Sequence, residues 1–246
     1  MRRRVIVLLI VALFGATGCG GDDGTGDEGG PDKPVQGKKA EKAEPEDPLT
    51  DPASWQVADP VVAEGAKAAY GAAAVRQAVA LATHVTQTGT YRTDLLPSQP
   101  RQPDEFTFLD DVMTAKCRAD LRGIVKRALA SGAHQEDMDG LSTFTFWSLG
   151  SDTWHLRSEL KPRAVGQRIA GTKVAAADEG VLAVTQQVAA DLHFVIEGKP
   201  RLVALGKEIT WFIVDTDGPD QGEWGGWRLD GWKGRFVYGK PRPDPA

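Results

Sequence analysis

Glu179–Asp215 reads EGVLAVTQQVAADLHFVIEGKPRLVALGKEITWFIVD, two runs of alternating apolar residues around a turn at Glu197-Gly198-Lys199-Pro200. Apart from Gln186, the even positions of the first run are apolar: Leu182, Val184, Val188, Ala190, Leu192, Phe194 and Ile196. The second run has apolar residues at odd positions: Val203, Leu205, Ile209, Trp211 and Ile213. Because a strand points alternate side chains to opposite faces, the pattern predicts a long antiparallel hairpin at the centre of a sheet. The other face of the first run, with Thr185, Gln187, Asp191 and His193, is predicted to be mostly solvated.

Two helices are predicted upstream of this hairpin. Asp59-Pro60 is typical of a helix start, and the Ala-rich stretch 61–88 that follows ends at Gly89. A second helix is predicted from Thr107, with Asp110 as its capping-box partner, up to Ser131-Gly132. Cys117 falls on the apolar stripe of that helix, so we expect a buried small hydrophobe and not a nucleophile.

The remaining elements are predicted to be strands. From Leu141 the apolar period changes, and strands are expected at 143–149, 153–160 and 163–176, with a last one at about 226–237. Residues 239–246 hold three Pro and are predicted to form a loose tail. Two helices followed by long strands predict an α+β domain over 51–238, with the helices packed on one face of an antiparallel sheet.

Residues 1–18 have the features of an export signal. Arg2–Arg4 are followed by the apolar run Val5–Gly15, which is too short to span a bilayer, and then by small residues and Cys19. This order resembles the lipobox of bacterial lipoproteins, although Ala16 stands where Leu is usual. The resemblance implies cleavage before Cys19, lipidation of its thiol and attachment to the extracytoplasmic face of the cell membrane. An ordinary secretory signal with a coincidental cysteine is the alternative.

Residues 19–50 are predicted to be a disordered tether, because Gly, Asp, Lys, Glu and Pro dominate and almost no large apolar side chain is present. A flexible coil of this length reaches about 30 Å. The whole chain has 29 basic and 34 acidic residues, and removal of the three signal arginines leaves 26 against 34, a net charge near −8. This balance predicts no nucleic-acid partner and little attraction to anionic membranes.

The order of elements resembles the cone-shaped α+β superfamily that includes nuclear transport factor two, ketosteroid isomerase and scytalone dehydratase. The similarity lies in two N-terminal helices, long meandering strands, and a final hairpin in which Ile209–Gly218 leads to the Trp-bearing strand Gly226–Trp232. It implies a strongly curved antiparallel sheet around a conical pocket. Enzymes of this superfamily place acidic, tyrosine or histidine groups inside the cone, and no residue here can be matched to those groups.

Several residue groups are candidates for binding or chemistry. Trp224 and Trp232 are candidate ligand or partner contacts, since exposed aromatic rings favour interaction sites, with packing between strands as the alternative. An oxygen-rich loop is a candidate calcium site, with a solvated hairpin tip as the alternative; its residues are Asp215, Asp217, Asp220 and Glu223. The four histidines lack the spacing of a transition-metal site, so neither such a metal nor a cofactor is predicted.

These observations predict a membrane-anchored extracytoplasmic lipoprotein with a non-catalytic domain. Its expected role is to bind an unknown envelope protein or a small apolar ligand, as an accessory or assembly module of the cell envelope. The alternative is an isomerase- or dehydratase-like enzyme of the cone superfamily, which requires a buried acid or base. Candidates for that group are Asp120, His155, Asp191 and His193. A spacer with a closed core is a third possibility.

Overall fold

The structure is a computed structural model that describes residues 52–91, 106–129, 140–144, 154–157, 164–216 and 223–246. A short 3₁₀ turn, Pro52–Ser54, precedes the strands β1 (Gln56–Val57) and β2 (Pro60–Val62). Two helices follow, α1 (Glu64–Gly89) and α2 (Ala115–Leu129). The other strands are β3 (Trp154–Leu156), β4 (Ala164–Asp178), β5 (Val181–Ile196), β6 (Lys199–Asp215), β7 (Trp227–Tyr238) and β8 (Arg242–Pro243). The predicted α+β class is confirmed.

The predicted hairpin is confirmed as the centre of the sheet. β5 and β6 pair antiparallel over their whole length, with Val184 opposite Trp211, and β4 and β7 flank them in the order β4-β5-β6-β7. Glu197 and Gly198 form the turn with positive φ angles of 50° and 73°. We call the face with even residues of β5 and odd residues of β6 the core face, because its apolar side chains are buried. The opposite face is the outer face.

The structure corrects the predicted start of the first helix. Pro60–Val62 is a strand parallel to β4, with Val62 opposite Val174, and α1 begins only at Glu64. Pairing with β4 gives these backbone groups partners that a first helical turn would leave unsatisfied. Gly71 interrupts α1 with φ 77° and ψ 158°, a conformation that glycine adopts without strain.

The second helix also begins later than predicted. The segment before it bonds to β7 instead: Leu229 N donates to Val112 O at 2.8 Å, and Thr114 N donates to Leu229 O at 2.9 Å. The cap of α2 is therefore the Thr114 hydroxyl, which accepts from Cys117 N at 3.1 Å, and not Thr107. Cys117 is fully buried, as predicted, and burial raises the pKa of its thiol to about 12.

Two further strand predictions differ from the structure. Thr143 and Phe144 lie in a turn, whereas residues 145–149 of that predicted strand lie outside the described residues. Residues 239–246 are not a loose tail, because Arg242–Pro243 pairs with β6 beyond the end of β7. The tail is thus held by backbone pairing with β6 in spite of its three prolines. Composition alone does not predict such pairing.

Candidate functional site

The core face contains one lysine within a row of apolar side chains. Lys207 lies between Leu205 and Ile209 on β6 and is 4% exposed. Its Nζ donates to three backbone carbonyls that follow α1 or belong to the 140–144 segment: Thr90 O, Ser142 O at 2.9 Å and Thr143 O at 3.0 Å. The nitrogen also lies 5.0 Å from the centre of the Tyr91 ring. The ammonium thus connects these two segments to the centre of the sheet.

Two effects act on the charge of this amine. Burial disfavours the ammonium and lowers the pKa of Lys207 to about 7. The three carbonyl acceptors act in the opposite direction, since a neutral amine has only two N–H donors. At or below neutral pH, Lys207 is therefore an ammonium whose hydrogen bonds have a structural role.

We expect the free energy of unfolding to rise between pH 7 and pH 9. The folded state releases the Lys207 proton near pH 7, whereas an unfolded chain keeps it to about pH 10.5, so the unfolded state binds more protons in this window. The slope is at most about 1.4 kcal/mol per pH unit. Urea unfolding at pH 7, 8 and 9 measures it, and Lys207→Met should remove it. A flat profile, or the same slope in that variant, would contradict this assignment.

A second polar group lies under α1. Trp211 Nε1 donates to Thr86 Oγ1 at 2.9 Å and to Gln186 Oε1 at 3.1 Å. The Thr86 hydroxyl in turn donates to Gln186 Oε1, and Gln186 Nε2 donates to Thr83 Oγ1 at 3.2 Å. Gln186, the residue that breaks the apolar pattern of β5, is thus fully buried and bonded at both ends of its amide. These bonds hold α1 in one register on the sheet.

The third polar group lies on the outer face and contains His193. Its Nδ1 is 2.8 Å from Asp244 Oδ2, and Arg157 Nη1 is 3.0 Å from the same oxygen. Ala246 N donates to the other oxygen, Oδ1, at 3.1 Å. The Asp244 carboxylate is completely covered and the His193 side chain is 8% exposed. Burial by itself raises the pKa of Asp244, but the hydrogen bonds from His193, Ala246 N and Arg157 outweigh it and hold the pKa below its ordinary value.

The prediction that His193 lies on a solvated face is therefore wrong. Strand parity does place it opposite the core, but residues 244–246 fold back over it. Asp191, on the same face, is half-exposed and paired with Arg242 at 2.7 Å. Asp120 is exposed on α2, 3.6 Å from Lys116. His155 pairs with Val195 through the backbone, and its side chain lies outside the described part of the molecule.

The two candidate tryptophans are partly packed. Trp224 packs against His84 at a tilted angle, with 5.1 Å between ring centres. Trp232 meets Phe144 edge-to-face at 4.9 Å and donates from Nε1 to Gly140 O at 3.2 Å. Each ring keeps an intermediate exposure, so a contact through the remaining edge is still a prediction.

The calcium candidate cannot be assembled from the described residues. Asp215 is exposed at the end of β6, and Glu223 is exposed shortly before β7. Asp217 and Asp220 lie outside the described ranges. Within those ranges, no three His, Cys, Asp or Glu side chains converge as a metal site requires. Cys19 also lies outside them.

Neither Lys207 nor the Arg157–Asp244 pair was predicted from the sequence. Lys207 had a signal: it interrupts the odd-position apolar row of β6 just as Gln186 interrupts the even row of β5. The Arg157–Asp244 pair joins residues far apart in the chain and has no periodic signal.

Comparison with known proteins gives no relative from which a function could be transferred. No family model matches the chain, and searches of curated proteins and of solved structures found no significant match. In the described helices, no segment is long and apolar enough to cross a membrane.

Proposed function

We propose that the chain is a lipoprotein, anchored through Cys19 to the extracytoplasmic face of the cell membrane, whose domain is a non-catalytic module of the cell envelope. The order of basic, apolar and small residues before Cys19 supports the anchor. Two acyl chains on one cysteine suffice for stable attachment. The domain then acts by binding, either as an assembly or accessory partner of an envelope protein or as the holder of a small apolar ligand.

The non-catalytic assignment rests on one observation: the polar groups of the core face form hydrogen bonds within the protein. Lys207 donates to three backbone carbonyls, and Trp211 and Gln186 bond to each other and to α1. A general acid or base must instead exchange a proton with a bound substrate. The buried Cys117 thiol, with its pKa raised to about 12, is not a nucleophile at neutral pH.

The fold is compatible with a domain of the cone superfamily. The long strands β4–β7 form one meander with α1 on the core face, which is the element order of that superfamily. A domain of this kind offers an apolar interior to a ligand and its rim to a partner. Trp224, in the turn before β7, and Trp232, in the middle of β7, are both partly exposed and are the contacts that we propose for the partner.

Cys19→Ala is expected to move the protein from the membrane pellet to the soluble fraction. The matched control is Cys117→Ala, which removes the second of the two cysteines and should leave fractionation unchanged. Fractionation followed by immunoblotting, with mass spectrometry of the Cys19 peptide, measures both effects. Membrane retention of Cys19→Ala, or an unmodified Cys19 in the wild-type chain, would refute the anchor.

The binding role is tested on the same membrane preparation. Native mass spectrometry of the detergent-solubilised chain should find an added mass that resists buffer exchange. Trp232→Ala and Trp224→Ala should weaken capture of an envelope partner without releasing the chain from the membrane. A chain free of added mass that also retains no partner after cross-linking would refute the binding role.

One observation favours the alternative, an enzyme of the isomerase or dehydratase type. A histidine whose Nδ1 is held by a buried carboxylate, as in His193–Asp244, is how many enzymes orient a general base. Arg157, however, already neutralises that carboxylate, and the imidazole is 8% exposed, so we rank this function second.

A further inference from the structure

The outer face of the sheet presents exposed apolar side chains. Among the described residues, the exposed large hydrophobic residues are Val57, Val61, Val165 and Val237. Strand register puts three of these on the outer face, since Val61 pairs with Lys173, Val165 with Asp191 and Val237 with Gly206. Val61 and Val237 are 69% and 68% exposed. Single exposed valines are ordinary on a protein surface, so the charges around them decide what this face can bind.

Basic residues surround these valines. They are Arg168 and Lys173 on β4, Lys233 and Arg235 on β7, and Arg242 on β8. Three acidic residues of this face are already paired: Asp191 with Arg242 at 2.7 Å, Glu208 with Arg235 at 3.0 Å and Asp244 with Arg157 at 3.0 Å. Asp178 lies at its far end, beside the turn to β5. The outer face is thus net basic in a chain whose formal charge is −5.

The centre of this face has groups that suit phosphate oxygens. Lys173, Thr185, Thr210 and Lys233 lie side by side on four adjacent strands. With strands about 4.8 Å apart, the two lysine Cα atoms are about 14 Å apart. Lys173 is exposed, and the Lys233 Nζ lies 5.5 Å from the centre of the Phe212 ring on the same face. The threonine hydroxyls are 2.9 Å from each other; Thr210 is buried, so the partly exposed Thr185 is the one that a ligand can reach. Ammonium and hydroxyl donors are the groups that bind phosphate.

We propose that the outer face docks on the surface of an anionic lipid bilayer. Basic residues would bind headgroup phosphates, and the exposed valines would enter the interfacial layer, the combination that holds peripheral proteins on membranes. This inference rests on the proposed anchor. The charge of the face supports it independently, because its basic residues complement an anionic surface.

The test is lysine footprinting of the full-length lipidated chain. The chain is reconstituted in vesicles of phosphatidylcholine, or of phosphatidylcholine with phosphatidylglycerol, and is acetylated with a water-soluble reagent. Peptide mass spectrometry then follows Lys173 and Lys233 on the outer face, with Lys67 and Lys126, exposed on the helices, as internal references. We expect labelling of Lys173 and Lys233 to fall about fivefold in the anionic vesicles. The reference lysines should not change, and high salt should restore the labelling.

A charge variant separates docking from general crowding at the membrane. Arg168→Gln with Arg235→Gln removes two cations of the outer face while leaving both reporter lysines, and should abolish most of their protection. Arg76→Gln with Arg127→Gln makes the same charge change on the helices and should have no effect.

Each outcome decides one part of the proposal. A chain that floats with both vesicles but shows equal labelling of all four lysines overturns the docking face and leaves the anchor intact. A chain that floats with anionic vesicles alone, with Lys173 and Lys233 protected, supports the face and refutes the anchor; flotation with neither refutes both. Protection in both vesicle types that grows with protein density means that a second copy covers the face, which also overturns the proposal.

Discussion

Trp211→Ala should lower the free energy of unfolding by about 3–5 kcal/mol, the range for removing a large aromatic side chain from a packed core. Trp211 is fully buried at the centre of the hairpin, opposite Val184 on β5 and Trp232 on β7. Its ring packs against Phe144 with 5.9 Å between centres. The substitution therefore removes contacts with the sheet, with the 140–144 segment and with α1 at once. Against a total stability of about 5–15 kcal/mol, such a loss leaves a marginal domain.

Urea unfolding followed by far-ultraviolet circular dichroism measures this loss without depending on tryptophan fluorescence. The matched variant is Trp211→Phe, which keeps most of the ring but removes Nε1. Thr86 and Gln186 then lose their indole donor while still bonding to each other, so we expect a loss of about 1–2 kcal/mol. A loss below about 1 kcal/mol for Trp211→Ala would mean that this site is not part of the core.

The sequence predicted the hairpin because its information is local and periodic. β5 has seven apolar residues at even positions, and β6 has five at odd positions. The observed register of the two strands buries both sets on one face. A slip by one residue would move the apolar side chains of the shifted strand to the opposite face. Helix starts were predicted less well. Asp59-Pro60 and Thr107 are residue types that favour a helix start. The two segments instead pair through their backbones with β4 and β7, so each helix begins later. A cap contributes about 1 kcal/mol, which several strand hydrogen bonds outweigh.

The candidate site depends on contacts that periodicity does not encode. The tail residue Asp244 reaches His193 across the sheet, so a histidine of the outer face becomes buried. Total charge does not reveal how the charges are distributed: the chain has a formal charge of −5, yet alternation places basic residues of β4 and β7 on one face. Electrostatic attraction is screened beyond about 8 Å at physiological salt, so the charge of the nearest face matters more than the total charge.

Asp244→Ala should release residues 239–246 from the sheet. The variant leaves the guanidinium of Arg157 and the imidazole of His193 without the carboxylate that both contact, and removing one member of a buried ion pair costs about 3–5 kcal/mol. The chain can avoid most of this cost by opening the tail, which lets water reach Arg157 and His193. We therefore expect a small change in global unfolding and a large change in local protection. Hydrogen exchange of the 239–246 peptide, and of the β6 residues that pair with β8, measures it.

Asp191→Ala is the matched control for Asp244→Ala, because it also removes a carboxylate that contacts the tail, through Arg242. That pair is partly exposed, so its loss should change tail protection by less than about 1 kcal/mol. The pH dependence adds a second criterion. The pKa of Asp244 in the folded state lies below its ordinary value. The carboxylate therefore stabilises the tail fully at pH values above the ordinary pKa. This stabilisation is lost as the pH falls through the lowered pKa of the folded state. Tail exchange in the wild type should thus approach that of Asp244→Ala only in strong acid. Equal tail exchange in the two proteins at pH 6 would mean that Arg157 and His193 do not hold the tail, and His193 would then regain the solvated position that strand parity predicts.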